Sequence, residues 1–394
     1  MRPMKTMLRI AVGALAFALF SSTGTAATAQ ETIRIGLLVP MTGPFSYMGR
    51  QISAGVGLYL AQYGTAIAGK KVEVIVKDDA GSADNTRRLA QELVVKDKIA
   101  VLAGFGLTPQ AFATAPLATQ SKTPMVVMQA ATSSVTEKSP FIVRTSMTLP
   151  QVTMGVAEWA YKNKIKRVVT LVSDFAPGLD AERTFKESFV SNGGEIVEQI
   201  RMPVVNPDFA PFLQRVLDVK PQAVFVFVPA GSSAAVFIKQ FAERGLNKAG
   251  IQLIGTGDVV DDDVLNDMGD AALGIVTSHH YSAAHPSVLN KKFVEVFSKA
   301  NSGMRPNFMA VAGYDGMRVI MEGLKATKGT GGEALVNAMK GQVFESPRGQ
   351  VMIDAQTRDI VQDVYIRKVQ RVDGKLYNLE FDVHKSVKDP GKSS

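Results

Sequence analysis

Short runs of β-branched residues alternate along this chain with longer stretches in which apolar positions recur every three to four residues. Thr32–Val39 is such a run, followed by the turn-rich Pro40–Pro44 and a helical stretch to about Tyr63. Lys71–Lys77 alternates with period two and reads as a half-buried strand. A helix is predicted over Ala83–Lys96, with Leu89, Leu93 and Val94 on one face. Strand, helix and strand follow at Ala100–Ala103, Pro109–Gln120 and Pro124–Met128. A second block repeats the theme. Strands are expected at Arg167–Val172, Glu195–Arg201, Ala223–Val228 and Gln252–Ile254, with helices at Met154–Asn163, Leu179–Asn192, Asp208–Val219 and Ser232–Arg244. This spacing predicts an α/β fold of parallel sheets covered by helices on both faces, in two lobes.

The remainder is not a third block. A strand at Gly274–His279 precedes helices near Ser287–Lys299, Pro306–Ala326 and Glu333–Met339. The tail (Gly349–Ile353, Ile360–Val369, Lys375–Phe381) alternates like antiparallel β and is too small to stand alone. The chain is therefore expected to return to each lobe once. That assigns 30–148 with 278–346 to one lobe and 149–277 with 347–390 to the other, around a hinged cleft.

The N-terminus alters this picture only by giving it an address. Arg2, Lys5 and Arg9 precede the apolar run Ile10–Phe20, and small residues lead to Ala27-Thr28-Ala29. That is a secretory leader over 1–29; the run is too short to span a bilayer. No cysteine stands near the cut to carry a lipid, so no membrane anchor is expected. Losing the leader's three cations lowers the formal charge from +8 to +5. That surplus forms no runs, which argues against nucleic acid as a partner. With no cysteine, stability outside the cytoplasm rests on buried cores. A monomer is expected.

Catalytic and cofactor patterns fail one by one. Gly64–Lys71 has phosphate-loop spacing but lacks the closing Ser or Thr, and it follows a helix where a strand is needed. Gly104-Phe105-Gly106 lacks the third glycine of a dinucleotide fingerprint. There is no Gly-x-Ser-x-Gly elbow and no thiol. Adjacent His279 and His280 on a strand should face opposite ways, so an exposed or capping role is expected rather than a metal site. Asp261-Asp262-Asp263 lacks calcium-loop spacing and reads as a solvated helix start. Neither cofactor nor enzymatic activity is expected. The competing reading is a secreted hydrolase of small amides or esters, pairing Thr108 or Ser133 with His279 or His280.

Ligands of open parallel sheets bind at the carboxyl ends of strands, against helix N-termini. In the first lobe, three loops qualify. One holds Gly106 and Thr108, with Thr108 read as a helix cap before Pro109. Another holds Ala130, Ala131 and Thr132, and the third offers Phe45 and Tyr47. From the second lobe come Asp174 and Pro177, Ala230, and Gly257 with Asp258. Asp174 and Asp258 suit an ammonium or hydroxyl group, or else cap the next helix.

Together, Ile35–Pro44, Asp78-Asp79, the Gly104 loop, Ala131-Thr132, Ser173–Gly178, Gly269–Gly274 and Ala312–Gly316 resemble the periplasmic leucine/isoleucine/valine-binding proteins, type I solute-binding proteins of ABC transporters. The resemblance covers essentially the whole chain after the leader. It implies two Rossmann-like lobes joined by three crossovers, a carboxylate held at Thr108, Ala130 and Thr132, and an aromatic lining from Tyr47 or Phe45. Two departures stand out. Pro177 precedes Gly178 where the family's amino-acid binders carry Tyr, and Asp258 is offset by one position from their acidic residue. Asp174–Asp180 and His279–His285 look like a subgroup associated with other carboxylates. The expectation is a periplasmic protein that captures a branched-chain amino acid, or a related aliphatic or aromatic acid, for an inner-membrane ABC permease. A component presenting ligand to a sensor is the third alternative.

Overall fold

The computed structural model describes residues 31–392, together with Met1. The leader expected over 1–29 lies outside the described stretch.

Two sheets organise the fold. The first has the order β2-β3-β1-β4-β5-β6. Its strands are β1 (Thr32–Val39), β2 (Ala66–Ile67), β3 (Lys70–Asp78), β4 (Val101–Gly104), β5 (Met125–Val127) and β6 (Ile142–Arg144). All pair in parallel except the β2–β3 hairpin. Helices α1 (Ser46–Tyr63), α2 (Ala83–Val95) and α3 (Thr108–Ser121) make its crossovers. β2 occupies the stretch with phosphate-loop spacing, which is a helix-to-hairpin connection. β2 and β6 are too short to show a period-two pattern, and neither is predicted from sequence.

After α4 (Leu149–Lys162) comes the second sheet, with parallel strands β7 (Arg167–Ser173), β8 (Glu195–Met202), β9 (Ala223–Phe227), β10 (Gln252–Thr256) and β11 (Val276–His279). Its crossover helices are α5 (Ala176–Ser191), α6 (Ala210–Val219) and α7 (Ser232–Glu243). β9 is wholly apolar, and β7 buries four apolar residues with Thr170 and Ser173, as befits strands covered on both faces.

The chain then returns. Helices α8 (Val288–Ala300), α9 (Phe308–Ala326) and α10 (Gly332–Met339) pack on the first unit, α9 lying along α1. Finally β12 (Val343–Ser346), β13 (Gly349–Ile353), β14 (Ile360–Val372) and β15 (Lys375–Val387) extend the second sheet with antiparallel pairing onto β11. The molecule is a bilobed α/β protein, and the carboxyl ends of both parallel sheets face one cleft. The returning segment between β11 and β12 spans 280–342, a few residues inside the 278–346 expected.

Buried ion pairs hold the crossings. Arg144 at the end of β6 bonds Asp359, just before β14, at 2.8 Å. Arg348 between β12 and β13 pairs with Asp315 of α9 at 2.7 Å, and its guanidinium also donates to the Thr145 carbonyl. All four side chains are buried, so each charge depends on its partner.

Candidate functional site

A cavity lies between the strand ends of the two lobes and has about 350 Å³ of atom-free space measured out to its mouth. From the first lobe, Gly106, Thr108, Ala130 and Ala131 line it; from the second come Pro177, Ala230 and Asp258.

The loop after β4 is shaped by close approach. Gly104 has φ +106°, and a Cβ there would collide with the Leu38 carbonyl. That brings the start of α3 against the cavity. Leu107, not Thr108, is the residue before the helix, and its N–H donates to Gln110 Oε1 at 2.7 Å. Thr108 is the first helical residue and caps nothing; its hydroxyl donates to Thr132 Oγ1 at 3.0 Å. First-turn N–H groups of a helix have no acceptor within it, which suits an anion there.

Arg144 sets the neighbouring loop. It donates to the carbonyls of Thr132 (2.9 Å) and Ser133 (3.0 Å). Ser133 also ties the loop across the cleft, because its N–H donates to Asp180 of α5 at 2.9 Å.

The walls are apolar. Phe175 and Phe227 stack with centroids 6.0 Å apart, and Met48, Met147 and Leu149 add to the lining. Sequence reading missed all five. Phe175 stands in a loop it had marked, whereas Phe227 looks like any residue of a buried strand. Gln129, also missed, is buried with an unpartnered Oε1.

Other expected residues fall elsewhere. Asp174 is exposed and does not line the cavity, because the chain turns into α5 just after it. Thr132 supports Thr108 from behind. Phe45 and Tyr47 line an adjoining cleft with Val205, Phe209 and Val236. Tyr47 spans the lobes, its ring against Gly231, and burial beside Asp261 and Asp258 pushes its phenol well above the usual range.

At its second-lobe end the site is polar and buried. Asp258, in the short helical turn after β10, accepts from Thr256 Oγ1 at 2.9 Å. Its Oδ2 is 3.6 Å from His279 Nε2, too long for a hydrogen bond. His279 and His280 are neither exposed nor divergent: both are fully buried, with ring centroids 4.5 Å apart. The strand ends at His279, so the alternation that should separate them stops there. Burial, opposed by Asp258, pushes His279 down to about 4; burial and His279 hold His280 low. Asp261 and Asp262 are not solvated either. They bond Asn307 and Asn378, and desolvation raises both carboxyls. Arg367, bonded to the Tyr281 carbonyl and Thr277, supplies the compensating charge. Gly257 is outside the cavity but essential to this packing, since a Cβ there would strike Arg367 and the His279 ring. Among the described residues no cluster could hold a metal ion.

The model of the periplasmic binding protein family matches residues 32–375. The Leu/Ile/Val-binding protein homolog 6 of Brucella melitensis biotype 1 is 42% identical over 390 residues, covering 98% of this chain and 99% of that protein. Two solved structures are similar, both solute-binding proteins of ABC transporters. One, from Rhodopseudomonas palustris BisB5 in complex with 3,4-dihydroxybenzoic acid, is 60% identical with a TM-score of 0.90, covering 92% of this chain and 99% of that one. The other, from R. palustris HaA2 in complex with p-hydroxybenzoic acid, is 42% identical with a TM-score of 0.89 and the same coverage.

Proposed function

The chain belongs to the periplasmic binding protein family as a solute-binding component of an ABC importer, and from that premise we propose that its interlobe cavity holds an aromatic carboxylate of the benzoate type. It is a transport protein and not an enzyme, which removes the hydrolase reading. The observation that carries the ligand class is the cavity's form: a slot walled by the stacked Phe175 and Phe227, ending at the start of α3. Flat rings pack well against such a wall. The carboxylate is held at the start of α3 and the Ala131 end of the neighbouring loop, where N–H groups take the place of a cation and the Thr108 hydroxyl turns from Thr132 to the ligand, the Ala130 N–H being spent on the Phe105 carbonyl. The two solved relatives above, each in complex with a hydroxylated benzoic acid, support the same reading.

The lobes, 30–148 with 280–342 and 149–279 with 343–390, close on the solute by hinge motion and offer the closed form to an inner-membrane permease. The leader is removed before Gln30, leaving a monomeric, unanchored periplasmic receptor. N-terminal sequencing of the periplasmic form tests that cut.

The ligand test is thermal denaturation of the mature chain with benzoate, 4-hydroxybenzoate, 3,4-dihydroxybenzoate and leucine. A ligand at 100 times its Kd stabilises by about 2.7 kcal/mol, so an aromatic acid should raise the melting temperature by several degrees. Stabilisation by leucine alone would return the site to the aliphatic amino acids, with Asp258 meeting the ammonium group.

A further inference from the structure

We propose that Asp258 selects ligands carrying a ring hydroxyl opposite the carboxylate, with His279 as the residue that positions it. This rests on the aromatic-acid reading and adds to it a cause of discrimination within that class.

The argument starts from charge. Of the residues lining the cavity, Asp258 alone is ionisable. No cationic side chain meets the ligand, so its carboxylate depends on neutral donors, and these lie at the α3 end. The opposite end carries Asp258, with Asp261 and Asp262 buried behind it and Arg367 among them. A carboxylate turned that way would face like charge. The ligand's anion therefore points to Thr108, and its far edge points to Asp258.

A carboxylate accepts hydrogen bonds and donates none. Every described hydrogen bond to Asp258's side chain falls on Oδ2, from Thr256. Oδ1 is left to be satisfied by what enters the cavity. In an aromatic acid that donor is a phenolic O–H, and the O–H···O⁻ bond is among the stronger kinds. Benzoate brings no donor. Lobe closure on it would strip water from Asp258 without replacement, and sites built to bond a hydroxyl reject analogues that lack it.

His279 explains why the carboxylate is aimed at all. Both its ring nitrogens are buried without hydrogen-bond partners, and the ring is fixed between His280 and Phe308, each at 4.5 Å. Nε2 needs to move only a few tenths of an ångström to donate to Oδ2. Once made by that shift, the bond would fix the carboxylate's rotation and leave Oδ1 toward the solute. The closeness of Arg367 and His279 to Gly257 prevents the backbone from swinging away.

Calorimetric titration of the mature chain with benzoate, 4-hydroxybenzoate and 3,4-dihydroxybenzoate tests this. The wild type should bind the hydroxylated acids at least about tenfold more tightly than benzoate, the worth of one charge-assisted bond. In Asp258→Leu, which leaves no acceptor, that ratio should collapse, with benzoate affinity unchanged or improved. His279→Gln should shrink the ratio part of the way, a change in selectivity that mere loosening of the fold would not produce. Equal binding of benzoate and 4-hydroxybenzoate by the wild type overturns the proposal without needing any variant. So does a ratio that survives Asp258→Leu. If no aromatic acid binds and leucine does, the aromatic reading itself fails and this proposal falls with it.

Discussion

Thr108 and Thr132 form a small relay at the carboxylate end. One hydroxyl bonds the other at 3.0 Å, and only Thr108 reaches the cavity. Thr108→Ala should therefore weaken binding of the carboxylate by about 1.5–3 kcal/mol, the worth of a charge-assisted hydrogen bond. Thr132→Ala, acting through its neighbour, should lose less. Titration of both variants checks the order, and equal affinity in all three proteins would move the carboxylate elsewhere. Gly106, Thr108, Ala130, Ala131, Pro177, Ala230 and Asp258 could be picked out in the sequence because strand-end loops with small residues or hydroxyls carry a local mark. Phe175, Phe227 and Met147 could not. An apolar wall of a cavity and an apolar wall of a core are written in the same residues, and only the packing of distant strands tells them apart. Asp174 shows the converse: a polar residue in the expected loop can still face solvent.

The Ala130–Ser133 loop keeps its shape because β6 delivers Arg144 beneath it. The guanidinium is fully buried, gripping loop carbonyls with one edge and Asp359 with the other. Lysine keeps the charge but not the fork. Arg144→Lys should destabilise the fold, and Arg144→Leu, which leaves Asp359 only Thr136 and Lys392, should cost about 3–5 kcal/mol. Urea denaturation measures both, and a loss below about 1 kcal/mol for the leucine variant would mean Asp359 is adequately held by Thr136 and Lys392. Long elements were legible: α1, α3, α7 and the antiparallel tail all occur within a few residues of their expected limits. The three-residue β6, which positions this arginine, was not, since its strand character comes from pairing with β5 rather than from any pattern of its own. The acidic run at Asp261–Asp263 misled for a related reason. Charge predicts solvent, unless remote asparagines and an arginine arrive to satisfy it.

Across the whole molecule, the cleft buries imidazoles in neutral form, and that sets a pH dependence. His279 titrates near 4 when folded, against 6.5 when free. Between those values the unfolded chain binds more protons than the native one, so stability falls as pH drops through the window. The depression corresponds to about 3 kcal/mol, fully present above pH 6.5 and lost progressively toward 4. His280 shifts the same way. Asp261 and Asp262, whose carboxyls burial raises, act in the opposite sense, so the test is a difference: between pH 7.5 and 4.5 the wild type should lose more unfolding free energy, or gain less, than His279→Asn, and parallel curves would place the acid sensitivity elsewhere. The two-block alternation and the return of the chain to each lobe were evident from sequence because they depend on periodicity over hundreds of residues. How the lobes touch was not, because those contacts join residues far apart in sequence.

One of those contacts bears on time rather than choice. The Ser133–Asp180 bond crosses the cleft outside the cavity. Under the hinge motion proposed above it would form when the lobes meet and break when they part, whatever lies between them. Its energy therefore adds equally to the closed state of every solute and cancels from any comparison among them. What it sets is residence: how long the receptor stays shut before it can discharge, a clock independent of the groups that choose the cargo.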